Sequence, residues 1–352
     1  MPGVYLSYPF CAQKCTYCNF ASGVFPASLE REYCARLERD LRSHSWDWVP
    51  ETVYWGGGTP SLLAVDAFRR IMAAIPGRPW REATLEAAPG TLTAERVTAW
   101  VECGINRVSL GVQSFVDAEI RRAGRKHTAA VVRSDVARLR EHGISEINID
   151  LIAGLAGQTD ASWRQSLDEL LALDCPHASI YMLEVDEDSR LGRELLLGGA
   201  RYGALDVPGE EAIARFYETA VAALESAGLQ RYEISNFAKP GHESQHNLKY
   251  WRRDPYAGFG ADAHSFDGQW RWSEAESPRD YVAGPAPGPR VEAVAEEERL
   301  FLGLRLREGV PADGVPVTRA EELGLLERAH GRLRLTPRGL LLANEVFAEF
   351  LR

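Results

Sequence analysis

No uncharged apolar run in the sequence approaches the roughly 20 residues that a membrane-spanning helix needs. The opening MPGVYLSYPFC has no charged lead-in followed by an apolar core, so it does not read as a secretory signal. Basic residues are in deficit. The formal charge is -10 and Lys and Arg are scattered, leaving no stripe to follow a phosphate backbone and arguing against a nucleic-acid partner. Cysteine is scarce too: three of the six crowd between Cys11 and Cys18, while Cys34, Cys103 and Cys175 stand alone. That is not the spacing of a secreted disulfide framework; a cytoplasmic, reducing compartment with a metal site is the expectation. Low-complexity tracts are missing as well. What is present is 352 residues at 45% hydrophobic and 9% aromatic content, enough for one large domain or a large and a small one.

Up to about residue 185, short β-branched or apolar runs alternate with longer amphipathic stretches, the rhythm of repeated βα units. Strands are predicted at 4–8, 52–55, 83–87, 107–111, 146–151 and 179–183, with helices at 29–41, 67–74, 94–103, 129–141 and 162–173. Six parallel strands can form an open doubly wound sheet or a partial (β/α)6 barrel. Gly56, Gly57, Gly58, Glu86, Gln113 and Asp150 all fall at C-terminal strand ends, the rim where barrel enzymes assemble their sites, and this favours the α/β partial barrel. After residue 185 the rhythm changes. The expected division is a barrel over 1–230, an extension over 231–285, a Pro- and Gly-rich linker over 283–290, and a small helix-rich module of winged-helix type over 290–352. In that module, helices are predicted at 296–307, 318–323 and 337–350 with a hairpin around Gly331.

Cys11, Cys15 and Cys18 put three thiols on one short loop, and thiolates ligate iron–sulfur clusters and structural zinc alike. Structural zinc wants four ligands, and no fourth Cys or His lies nearby in the sequence. Three thiolates on a 4Fe-4S cluster leave one iron open, and an open iron can bind the amino and carboxylate groups of S-adenosylmethionine (SAM). The isolated Cys34, Cys103 and Cys175 fall in or beside helices and read as small packing residues.

Cys-x3-Cys-x2-Cys after Tyr5, Pro9 and Phe10, with Gly-Gly-Gly-Thr-Pro at 56–60, resembles the radical SAM superfamily, and within it the coproporphyrinogen dehydrogenase-like branch. Further matches run through Glu86, Gln113, Arg125 and Asp150 and their neighbours, so that the resemblance covers nearly the whole chain. It implies an iron–sulfur cluster on the three cysteines and a SAM site made by Tyr5, Phe20, Gly56, Gly57, Gly58, Thr59, Glu86, Gln113, Arg125 and Asp150. Arg125 would pair with the SAM carboxylate in fork geometry, and Asp150 would hold the ribose hydroxyls. The bland alternatives are a tight βα turn for the glycines and a helix cap for Asp150. The chain departs from the family at Ser7, where His is usual, and at Ala156, where Pro is usual.

Dehydrogenases of the branch carry an extra Cys two positions after the third cluster Cys; Phe20 stands there. They also have a longer N-terminal extension, whereas ten residues precede Cys11 here. Both features resemble the heme chaperones of the branch, as does His-Asn-x-x-Tyr-Trp, met here as His246, Asn247, Tyr250 and Trp251. This resemblance implies heme as cargo and heme-accepting apo-proteins as partners. His246 can serve as the axial ligand, with Tyr250 and Trp251 as an aromatic rest for the ring and Arg252 and Arg253 for the propionates. The alternatives are an aromatic structural corner, with His264 as ligand instead. Whether the chain is a carrier or an enzyme acting on a porphyrinogen or a methyl acceptor stays open, as does a homodimer.

Overall fold

The computed structural model describes residues 1–284 and 287–351. Six parallel strands lie side by side in chain order: β1 (Gly3–Tyr8), β2 (Thr52–Gly57), β3 (Glu82–Ala87), β4 (Arg107–Gln113), β5 (Glu146–Ala153) and β6 (His177–Met182). Between them run α1 (Ala27–Ser43), α2 (Val65–Met72), α3 (Ala94–Glu102), α4 (Asp117–Arg122), α5 (Ala129–Glu141) and α6 (Asp160–Ala172). Side chains alternate across each strand. Val4, Leu6 and Tyr8, then Val53, Trp55, Leu85, Val108, Leu110, Ile147 and Ile149, are buried in the core shared with the helices. The intervening positions, among them Tyr5, Tyr54, Glu86, Ser109, Asp150 and Ser179, are mostly polar and line the inner face. One face is therefore apolar and packed against the helices, and the other is largely polar. This is the α/β partial barrel expected from the unusual residues at the C-terminal strand ends.

Past β6 come α7 (Arg190–Leu196), α8 (Glu210–Ser226), β7 (Gln230–Arg231) and β8 (Asn236–Ala238), and β8 pairs antiparallel with β6. Then α9 (Gln245–Arg252) leads into β9 (Tyr256–Phe259), which returns to the far edge and pairs parallel with β1. From there β10 (His264–Phe266) and β11 (Trp270–Ser273) continue antiparallel, followed by α10 (Pro278–Ala283) and β12 (Val291–Glu292). The sheet thus reads β12-β11-β10-β9-β1-β2-β3-β4-β5-β6-β8-β7. Because β12 pairs with β11, the sheet continues beyond the 290 boundary that the Pro/Gly-rich segment suggests. Residues 285–286 of that segment lie outside the described residues.

The remaining chain forms α11 (Ala295–Gly303), β13 (Val310–Pro311), α12 (Arg319–Glu322), β14 (Leu326–Ala329), β15 (Arg332–Leu335), α13 (Pro337–Leu341) and α14 (Ala343–Ala348). Its apolar cluster, including Leu304, Ala320, Leu333 and Val346, takes in Ile234 from the barrel side. The hairpin at Gly331 is present, its turn made by His330 and Gly331, both at positive φ. The single helix predicted over 337–350 is instead two, because Leu342 leaves helical geometry at φ -118 and ψ 28.

Candidate functional site

The three cysteines lie on the loop after β1. Its neck is closed by Cys11 N–H donating to Gly23 O at 2.8 Å and Gly23 N–H donating to Pro9 O at 2.9 Å. The glycine loop after β2 is stitched to it, with Gly58 N–H on Tyr8 O at 2.7 Å and Thr59 N–H on Phe10 O at 3.0 Å. A Cβ on Gly58 would sit 2.9 Å from Cys11 Sγ and 2.8 Å from Phe10 O, so only glycine lets these loops close. The far side is held from α4 and α7: Thr16 N–H reaches Ala123 O, Leu191 N–H reaches Thr16 O, and Arg190 donates to Lys14 O. Asn19 Nδ2 also donates to Asp186 Oδ2 at 2.6 Å. Nothing in the sequence marks this clamp.

All three cysteines are free and partly exposed. Burial pushes the Cys11 thiol up and the neighbouring Cys18 and Cys15 add to it, against hydrogen bonds from Thr59 and Ser22; ligation would displace the proton. Among the described residues no three His, Cys, Asp or Glu side chains converge as a single metal ion would require. A four-iron cluster makes another demand, one thiolate on each of three irons, and a three-thiol loop backed by Gly58 fits it.

The other rim residues gather around this loop. Tyr5 stacks on Tyr54 with ring centroids 6.1 Å apart, and Tyr54 Oη donates to Glu86 Oε1 at 2.9 Å. Burial, with the Asp150 carboxylate beside it, pushes Glu86 up to about 7. Asp150 accepts from Ser109 Oγ at 2.9 Å and Asn148 Nδ2 at 2.7 Å, and burial raises it too. Gln113 ends β4 in the left-handed region at φ 69, beside a register shift against β5, and its Nε2 lies 2.9 Å from where a Cβ on Gly111 would stand. Arg125 donates to Gly111 O at 2.7 Å and to Tyr17 Oη at 3.2 Å; burial would lower it, but Tyr17 and Cys15 outweigh that and keep it charged. Phe20 projects from the loop, 66% exposed.

His246 is elsewhere. Ser244 caps α9, and Glu82, the first residue of β3, accepts from Ser244 Oγ, Gln245 N and His246 N at 2.7 to 3.1 Å. The His246 ring is 0% exposed, with Nδ1 2.8 Å from Thr52 Oγ1 and Nε2 2.8 Å from Tyr250 Oη. Thr52 opens β2, and Gly3, whose missing Cβ makes space for the ring, opens β1. The helix therefore closes the N-terminal mouth of the barrel. The cysteines lie a six-residue strand away, about 17 Å at ~3.3 Å per residue. Burial pushes His246 down to about 3, so the ring is neutral and each nitrogen already has a partner. Arg253 is engaged as well, its Nε on Glu298 Oε2 at 2.8 Å, while Arg252 is exposed.

His264 opens β10. Phe266 pairs with Tyr256 across β10 and β9, which sets His264 opposite Gly258, the partner of Tyr5 in β1. Opposed residues point to one face, so His264 shares the inner face with Tyr5; its side chain is 67% exposed.

Residues 5–170 match the model of the radical SAM superfamily. The chain is 34% identical to the heme chaperone HemW of Bacillus subtilis (strain 168), covering 100% of this chain and 99% of the relative. The chain belongs to the HemW family. HemW of Escherichia coli (strain K12) is 33% identical over 88% of this chain and 83% of its own length. The coproporphyrinogen III oxidase HemN of Escherichia coli, a radical SAM enzyme, shares the fold at a TM-score of 0.83 over 99% of this chain and 90% of that one, at 19% identity. The matched stretch, residues 5–170, includes the three-cysteine loop and the rim residues as far as Asp150. No helix among the described residues is long and apolar enough to cross a membrane.

Proposed function

We propose that this chain binds heme and delivers it to apo-proteins in the cytoplasm, while retaining a 4Fe-4S cluster and SAM. The observation that carries the reading is likeness along the whole chain to proteins named as heme chaperones. Phe20, where the dehydrogenases have a further thiol, supports it. Cys11, Cys15 and Cys18 would hold the cluster. Gly56 to Thr59, Glu86, Gln113, Arg125 and Asp150, together with Tyr5 and Phe20, would hold SAM. The cluster, when bound, supplies one-electron chemistry at the SAM sulfonium.

For the heme iron, His264 is the better ligand. It is exposed on the inner face, and ligation costs it no buried partner. His246 would have to abandon Thr52 or Tyr250 in a site closed to solvent, so its role in this reading is to hold the barrel mouth. The test is a heme titration of the reconstituted protein followed by transfer to an apo-globin. Saturation near one heme per chain with transfer supports the reading, and no specific Soret change overturns it.

A second reading, radical catalysis, is favoured by the unbroken set of Glu86, Gln113, Arg125 and Asp150 beside the cysteine loop. Substrate-dependent formation of 5′-deoxyadenosine under anaerobic reduction would support it.

A further inference from the structure

Beyond the rim, the described residues leave a few buried polar atoms with no hydrogen-bond partner, and three of them fall together. They are Nε of Arg305, Nε1 of Trp251 and Oε2 of Glu233. Arg305, just past α11, lies with its guanidinium carbon 4.3 Å over the Trp251 ring at the end of α9 and 5.7 Å from the Phe347 ring of α14. Glu233 is 1% exposed; its Oε1 accepts from Ser235 N and Asn236 Nδ2, and it faces Arg305 as a charge partner. Glu184 and Tyr181 also face Arg305, and Arg231 faces Glu233; Tyr181, at the end of β6, is 43% exposed and Trp251 and Arg305 are only partly buried, so the cluster lies near the surface.

We infer that this side-chain cluster between β6, α9 and the C-terminal module is a carboxylate-binding site, with Arg305 as the receiving group and Trp251 as second donor and apolar floor. Two adjacent N–H donors, one charged and both lacking an acceptor, ask for an anionic oxygen, and guanidinium with carboxylate is the strongest such pairing. Glu233 balances the charge without occupying Arg305 Nε. An aromatic run leads away from the site: Trp251 to Tyr250 at 6.4 Å, Tyr250 to Tyr256 at 4.7 Å, and Tyr256 to Phe266 at 6.4 Å. Phe266 stands on β10, two residues from His264 and on the same face. The run is packed in the core, with Phe266 1% exposed, and it ties the position of the site to β10 and His264. Resting on the heme reading above, the carboxylate is assigned to a heme propionate. The C-terminal module, through Arg305 and Phe347, then forms a wall of the cargo site.

The test compares heme with its dimethyl ester, in which both propionates are blocked, on the full-length reconstituted protein. Wild type should bind heme at least about tenfold more tightly than the ester. Arg305→Gln and Arg305→Lys should bring heme down to the affinity of the ester while leaving the Soret position, which reports axial ligation, unchanged. Equal affinity of wild type for the two compounds overturns the inference without touching the chaperone reading, and needs no variant that must fold. So does a correctly folded Arg305→Gln protein, checked by its melting transition, that keeps full preference for heme. A variant that loses SAM affinity while keeping heme affinity also overturns the assignment, placing the SAM carboxylate at this cluster. Failure of wild type to bind either porphyrin overturns both readings.

Discussion

At the N-terminal mouth of the barrel, Glu82 takes three donors from the start of α9, both nitrogens of His246 are hydrogen-bonded, and Lys249 reaches Glu51 at 2.6 Å and the carbonyl of Met1. At the C-terminal rim, built from the same strands, three free thiols stand partly exposed, Gln113 is held at positive φ, and Glu86 and Asp150 face each other with both carboxyls raised. The mouth satisfies its polar groups internally and so contributes stability. The rim keeps groups in costly states that a ligand can relieve, which is how binding sites differ from plugs.

Three perturbations sharpen that contrast. The largest effect should come from Cys18→Ala: iron and acid-labile sulfide after reconstitution fall to background, while the apo-protein's unfolding free energy in urea changes by no more than about 0.5 kcal/mol, as for a surface side chain. A protein that keeps its full iron and sulfide would break the rim assignment.

His246→Ala should do the reverse. It removes two buried hydrogen bonds and the stacking on Tyr54, at 5.2 Å, and should cost about 3 kcal/mol in urea melts while leaving iron per folded chain unchanged. Because burial lowers His246 to about 3 in the folded state, against an ordinary value near 6.5, its neutral form contributes stability that is full above that ordinary value and is lost as pH falls toward 3. The variant should lack this acid-side loss, so its deficit should shrink as pH falls from 7 to 4.

The smallest effect belongs to Glu86→Gln. Glu86 is raised to about 7 when folded, so its contribution is full below the ordinary carboxyl value near 4.5 and is lost as pH rises through 7. The variant should therefore match wild type at pH 4.5 and exceed it by about 1 to 2 kcal/mol at pH 8, the figure being reduced because the side chain is partly solvated. A stability gap that does not change with pH would mean that the rim does not hold its carboxylates under strain.

Much of the rim was legible in the sequence because its signals are local. The cysteine spacing defines a loop, and the βα order puts Gly56, Glu86, Gln113 and Asp150 toward the C-terminal ends of their strands. Helical spacing also brought His246 to Tyr250, and the two do touch, at 2.8 Å. What that spacing does not carry is which end of the barrel α9 closes. That depends on Thr52, Glu82 and Gly3, more than 160 residues away in the chain. The same limit hid β9, a four-residue strand recognisable only by its parallel pairing with β1, and Arg305, whose neighbours come from four separate stretches. At the C-terminus, the apolar pattern over 337–350 is continuous, while the backbone turns at Leu342 to keep Leu340, Val346 and Phe347 in one core.

The most direct test of this division of labour is a side-by-side heme titration of reconstituted wild type, His264→Ala and His246→Ala, following the Soret band at one temperature where all three are folded. The account predicts that His264→Ala loses the wild-type Soret position and weakens binding by about tenfold or more, while His246→Ala binds as wild type does. Loss of the band in His246→Ala, with His264→Ala unchanged, would contradict it and move the cargo site to the barrel mouth.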